Sequence, residues 1–462
     1  MDPHAQAPSH TPDLDQLADF LADFPAAELP PEVVARTKLI IADCVGAIVG
    51  GAAEPEMAAL TGALAAPDSG SALVIGTGHM VPAERAALLN GTAGTWLEMD
   101  EGNQFSRGHP GMHALPAAFA LAETRHATGM ALLAAVALGY EAGARVGIGT
   151  RLRPTMHPHG TWGVICAAVA AGRIGQVDAA GMRGLLNMAP TLSLATSRRT
   201  MLEGATVRNS FTGLAGQTGV LCLAMLGAGV TGERDGIGHV FGRVAGEDFD
   251  PRALSDMLGS RWEVTRNYFK MHACCRYNHA ALDAVQLILA GEGGEIDPDT
   301  VARIEVDSYS LAVELADPAP ANTLAAKFSL PFAIATTLIH RDSGVHSFTW
   351  DAVRDPAIAR LAARVVLRED PAMTARLPDQ RPARVRITLH DGQVLEAATR
   401  TNRGDWSDPY SPDEIRDKYM SLATRCWSVP HAEAVHARIM DLDRLDDVAA
   451  LGQLMRNPTR AA

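Results

Sequence analysis

The sequence predicts a mainly α protein: a large all-helical domain, with a smaller α+β lid domain inserted before the C-terminal helices. Three observations carry this. Apolar residues recur at helical spacing across residues 14–258. Period-two alternation appears only after Trp262, and helical spacing returns from Pro412.

Pro31 opens an early helix, since proline is tolerated in a first turn whose N–H lacks an intrahelical partner. Val34, Ile41, Val45 and Ile48 then share one face. Further helices are expected over 83–97, 115–123, 131–147, 161–174 and 212–228. Many are rich in Ala and Gly, which lets helix backbones approach closely in a layered core. Beyond Trp262, Arg303-Ile304-Glu305-Val306-Asp307 and Val385-Arg386-Ile387-Thr388-Leu389 alternate as strands. The second runs through an Asp391-Gly392 turn into Val394-Leu395, a hairpin signature. Helical stretches are expected near 324–340 and 356–363, and again over 412–425 and 431–440. The resulting division is a helical domain of 1–265 and 403–462 and a lid of 266–402, hinged near Thr265 and Asn402.

The 462 residues are 47% hydrophobic and 20% charged, a composition that buries a sizeable core. A formal charge of -13 argues against nucleic acid and anionic membrane as partners. It does not argue against a small anionic metabolite, because clustered cations override the global sign at short range. The six cysteines form no C-x-x-C pair, and Cys44, Cys166 and Cys222 lie in apolar helical runs. They read as reduced, buried thiols of a cytoplasmic protein. Residues 1–15 lack the basic and apolar regions of a signal peptide, and the longest apolar runs, 130–138 and 219–230, fall short of a membrane span.

Four segments are candidates for chemistry. The first holds Glu98, Asp100, Glu101, His109 and His113 around a glycine-rich break; it is either a solvated acidic loop or an acid–base pair of Asp100 with His109. A carboxylate beside an imidazole fixes its orientation and favours its protonated form. The second, His157-Pro158-His159-Gly160-Thr161, precedes a helix whose free N–H groups favour an anion. The third contains Arg198, Arg199 and Arg208, whose guanidinium forks match carboxylates. The fourth, from Lys270 through Cys274, Cys275 and Arg276 to His279, opens the expected lid. Adjacent cysteines suit neither a disulfide nor metal spacing. No phosphate-binding loop, dinucleotide fingerprint, nucleophile elbow or H-E-x-x-H motif is present.

In this order, the segments resemble the MmgE/PrpD family, which includes 2-methylcitrate dehydratase, cis-aconitate decarboxylase and iminodisuccinate epimerase. The resemblance rests on Asp100-Glu101, His109-Pro110 with Leu115-Pro116, His157-Pro158 before Gly160-Thr161, and Glu203-Gly204 before Arg208. It also rests on Thr231-Gly232, on Lys270 through Cys275 to His279, and on Lys327-Phe328-Ser329-Leu330-Pro331. It implies a helical domain with an α+β lid, a homodimer, no cofactor and a cleft between domains. It also implies catalytic roles for Asp100, His109 and His157. Three positions depart from the family pattern. Arg208 stands where a Lys is typical, Glu98 where an Asp is usual, and Thr95 where a His is usual. Cys275 occupies the position at which decarboxylase members carry His. Arginine stays protonated, so Arg208 binds charge and moves no proton.

The expected activity is cofactor-independent proton abstraction alpha to a carboxylate of a small di- or tricarboxylate. A dehydratase-type lyase heads the readings, with a polycarboxylate epimerase as alternative. His157 is expected as base, His109 with Asp100 as the paired acid/base, and Arg199, Arg208, Lys270 and Arg276 as anion anchors, with Cys275 and His279 also against the substrate. Two other classes compete: a metal-dependent hydro-lyase using Asp100, His109, His113 and His157, and a non-catalytic polycarboxylate binder.

Overall fold

The computed structural model describes residues 11–65, 69–291 and 296–456. Residues 1–10, on which the signal-peptide expectation largely rests, lie outside them. The architecture is mainly α with small sheets. Helices Pro31–Ala52, Ala83–Trp96, Pro110–Thr124, Gly129–Gly149, Gly163–Ile174 and Ser210–Gly227 pack around one apolar cluster. Each lies within a few residues of its expected place.

The small residues do what their pattern promised. Ala83–Trp96 and Ser210–Gly227 cross where Gly91 meets Gly213, and a Cβ on Gly213 would lie 2.1 Å from the Leu88 carbonyl oxygen. Only glycine permits this approach. Helix Gly129–Gly149 has a mean hydropathy of 1.4 and the length to span a membrane, which corrects the expectation of shorter runs; 89% of its most apolar window is buried in the core. Thr206–Gly227 also has that length, with a mean hydropathy of 1.3.

The first part of the chain is not purely helical. Ala72–Val74 pairs with His79–Val81, and Thr150–Leu152 with Gly246–Phe249. Gly102–Asn103 pairs antiparallel with Asn267–Tyr268. These ladders of two to four residues are too short to leave a periodic trace. The third ties the acidic loop to the segment expected to act as a hinge. Nearby, the Phe269 N–H donates to the Gly404 carbonyl at 3.1 Å and Asn402 is buried, so both connections are pinned in this state.

A second apolar cluster is built on a four-stranded sheet in the order Val394–Thr399, Ala383–Leu389, Val301–Ser308, Val365–Glu369. The first three strands are antiparallel neighbours and the last pairs parallel. The expected hairpin is present, with Gly392 at φ +90° in its turn. Helix His279–Ala290 packs on the sheet. The expected helix near 324–340 is two, Thr323–Lys327 and Leu330–His340, because the Ser329 hydroxyl caps the second by accepting from the Phe332 N–H. Leu97, Met99, Met201 and Leu422 also join this cluster, so the boundary between the two cores is interleaved in sequence.

Candidate active site

The acidic loop takes its shape from local backbone chemistry. Glu98 and Arg107 both adopt left-handed φ, 56° and 61°, which costs non-glycine residues about 1–3 kcal/mol. Between them the Asn103 carboxamide oxygen accepts from the N–H groups of Phe105 and Ser106 at 3.0 and 2.9 Å. Pro110 then starts a helix with His109 at its N-cap. Below the loop, Asp43 accepts from the Glu101 N–H at 3.0 Å, while the Lys418 ammonium meets Asp43 and the Met99 carbonyl, each at 2.5 Å. Two helices far apart in sequence thus fix the floor of the site.

Asp100 is fully buried, with Oδ2 2.9 Å from His109 Nδ1 and Oδ1 3.5 Å from the Lys270 ammonium. Burial pushes its carboxyl up, but the charges of His109, Lys270 and Arg208 prevail and hold it well below the usual carboxylate range. His109 Nδ1 is aligned on the Glu101 carbonyl oxygen at 2.5 Å. Both neighbours of Nδ1 accept, so it carries a proton; in the neutral ring the lone pair is then on Nε2, and His109 lines the cavity.

His157 is set the other way. Its Nδ1 accepts from the His159 N–H at 3.1 Å, the shorter of its two polar contacts. Arg208 Nε–H also donates towards Nε2, at 3.4 Å, so both ring nitrogens face donors. Burial first, then the charges of Arg208 and His109, keep His157 well below the ordinary histidine value; His159 is shifted likewise. His159 lies between His109 and His157, with ring centroids 4.4 and 4.7 Å away. His113 sits behind: Nδ1 meets the His109 carbonyl at 2.8 Å and Nε2 accepts from the Gly160 N–H at 3.2 Å. Burial lowers it to about 4, so it stays neutral and joins the two histidine segments.

The cleft holds about 570 Å³ of empty space, part of it open to solvent. Arg107, Arg198, Arg208, Arg276 and Arg381 line it against a single carboxylate, Glu98. That is a cation-rich cleft inside a chain of charge -13. Glu98 pairs with Arg208 and lies 3.4 Å from Lys270. Burial lowers Lys270, but Glu98 and Asp100 raise it further, so it stays protonated behind the wall.

Of the expected residues, His109, His157, Arg208, Cys275 and Arg276 line the cleft; Asp100 and Lys270 support it from behind. Arg199 does not reach it: its side chain is 81% exposed and pairs with Glu203, because the short helix Arg199–Glu203 turns it outward. Its neighbour Arg198 faces the cleft instead. His279 is also out of reach, buried against His272 at 4.8 Å with Nε2 on the Cys274 carbonyl at 3.2 Å. Thr95 is buried, donating to the Asn209 carbonyl at 2.8 Å. Sequence reasoning missed Arg381, Tyr268 and Arg107. Arg107 stood inside a segment already singled out, Tyr268 two positions before Lys270; Arg381 had no local signal.

For a metal, Asp100, His109 and His159 bring ligand atoms within 4.8 Å of one another. Lys270 and Arg208 act on the same carboxylate and oppose a divalent cation there. His113 has both nitrogens engaged, which removes it from the ligand set considered from sequence.

Glu101 adds a testable pH dependence. Its carboxylate accepts from the Gly111 N–H at 2.8 Å and the Tyr140 hydroxyl at 3.2 Å, yet burial raises it to about 8 from 4.5. The folded chain therefore holds a proton that the unfolded chain releases, and this contribution is lost as pH rises towards 8. Unfolding free energy in urea should fall by about 1–2 kcal/mol between pH 6.5 and 8 through this group. The slope should be shallower in Glu101→Gln; identical slopes in the two proteins would exclude Glu101 as the source.

Residues 15–245 match the MmgE/PrpD N-terminal domain and residues 272–443 the MmgE/PrpD C-terminal domain. The chain is similar to a cis-aconitate decarboxylase of Aspergillus terreus, 22% identical over 475 residues and 96% of each chain. The cis-aconitate decarboxylase-like protein oryM of Aspergillus oryzae is 22% identical over 94% of this chain and 95% of its own. The cis-aconitate decarboxylase of Homo sapiens is 22% identical over 82% of this chain and 80% of its own. With both domains matched in order along the chain, this protein belongs to the MmgE/PrpD family.

Proposed function

We propose that this protein is a cofactor-independent acid–base enzyme that removes a proton alpha to a carboxylate of a small di- or tricarboxylate, as a dehydratase-type lyase. One observation carries the reading: His109, paired with Asp100, lines a cleft together with five arginines. The carbon acid needs a base at that point and cations for the charge it leaves behind.

In this reading His109 Nε2 takes the proton and Asp100 stabilises the resulting imidazolium. The electron pair moves into an enolate whose oxygens face Arg208 and a neutral His157 donating from Nε2. In this reading the base is His109 rather than His157. The proton then passes to a β-hydroxyl, which leaves as water, or returns to carbon, which gives epimerisation. We further propose that the α+β unit closes the cleft as a lid and that the working form is a homodimer, both on the family resemblance.

Decarboxylation is the second reading, favoured by the relatives' names. Cys275, standing where decarboxylase members carry His, speaks against it; burial pushes its thiol up to about 11. The test is a panel of di- and tricarboxylates in deuterated water, followed by NMR. Carbon–hydrogen exchange with loss of water supports the dehydratase, exchange without loss an epimerase, and carbon dioxide release a decarboxylase. Ligand-induced stabilisation with neither exchange nor turnover across the panel would overturn the enzyme reading.

A further inference from the structure

We propose that Arg381, together with Arg276, forms a second anion subsite that reads a carboxylate remote from the carbon losing its proton. This rests on the acid–base reading above and adds the group that selects the substrate's far end.

Arg381 lines the cleft, is 4% exposed and has no carboxylate within salt-bridge distance among the described residues. Its guanidinium lies 5.9 Å from the Tyr277 ring centroid, and its hydrogen bonds go to Gln104: Nη1 to the carboxamide oxygen at 3.3 Å and Nη2 to the backbone carbonyl at 3.4 Å. The first of these is lost in the amide orientation that satisfies Gln104. That amide is satisfied when its nitrogen faces both Asp405 oxygens at 2.9 Å and its oxygen faces Trp406 Nε1 at 3.2 Å. In that orientation Gln104 offers no side-chain acceptor to either arginine. Arg381 Nε has no partner in any case.

Arg276 is equally buried and donates to Asp405 at 3.0 Å, yet its Nε and Nη1 also lack acceptors. Of these two buried guanidiniums, among the described residues, Arg276 pairs with a carboxylate, Asp405, and Arg381 with none, and several N–H groups are unused. A buried charge without a counter-ion is costly, and so is each unmade hydrogen bond. A ligand carboxylate, planar and with two acceptors, fits such forks and relieves both deficits.

The geometry also sets the reach. The Arg276 guanidinium lies 4.3 Å over the Tyr268 ring, and that ring's centroid is 6.3 Å from His109's. One aromatic ring separates base from subsite, a spacing suited to a short carbon chain bearing carboxylates at both ends. Arg381 lies two positions before the strand Ala383–Leu389, so the far carboxylate is read from the α+β unit while the base comes from the helical one.

Calorimetric or NMR titration of the full chain with glutarate and with butanoate, which differ by one carboxylate, tests this without turnover. The wild type should bind glutarate at least about tenfold more tightly than butanoate. In Arg381→Met that ratio should fall below about threefold, and Arg381→Lys, which keeps charge without the fork, should lie between. An unchanged ratio in Arg381→Met overturns the subsite and leaves the acid–base reading standing. A wild type with no preference for glutarate overturns both. Should Arg381→Met not fold, Arg381→Lys and Arg276→Lys carry the same comparison, and a wild-type ratio in both is the overturning result.

Discussion

Replacing His109 with Asn is expected to lower kcat by about 10²–10⁴-fold, the usual contribution of a positioned general base. Asn retains a donor for the Glu101 carbonyl and leaves the floor intact, so substrate affinity should change little. The decisive measurement is carbon–hydrogen exchange beside turnover in two variants. His109→Asn should lose both. His157→Asn should slow turnover but keep exchange, because a hydrogen-bond donor to the enolate is removed and the base is not. If His157→Asn abolishes exchange while His109→Asn preserves it, the roles are reversed and the base expected from sequence is restored.

The second large effect concerns stability. Lys418→Met should cost about 3–5 kcal/mol, since it leaves Asp43 buried without its counter-ion. Burial already pushes the Asp43 carboxyl up and Lys418 opposes that, so in the variant Asp43 takes up a proton. Urea unfolding of Lys418→Met, Asp43→Asn and the double variant separates the pair from general disruption. The double variant should recover much of the loss. A single-variant loss under about 1 kcal/mol, or no recovery in the double, would show that the pair is not what holds the loop.

Much of this was readable in the residues, for physical reasons. Long helices announce themselves because burial on one side imposes a period, as Val34, Ile41, Val45 and Ile48 show in Pro31–Ala52. The Asp391-Gly392 turn announced its hairpin because few residues accept that backbone. Asp100 and His109 were legible because a polar run between apolar helices has few structural uses. Other features leave no local trace. The Gly102–Asn103 ladder to Asn267–Tyr268 depends on a contact across more than 160 positions. The choice of Arg198 over Arg199 turned on which way a single helical turn faces. Arg381 was invisible, because nothing in Gln380-Arg381-Pro382 distinguishes it from a surface charge.

The strained Glu98 gives the cleft a character beyond its charge. A carboxylate of the protein's own already sits on Arg208 and beside Lys270, where a ligand's carboxylate would go. Binding there is an exchange of partners, not an addition. A lone anion gains little from the trade, since it must match what Glu98 already supplies. A molecule with further carboxylates can recoup the difference elsewhere in the cleft. On the function proposed above, this exchange would disfavour lone small anions, and selectivity would begin before any proton moves.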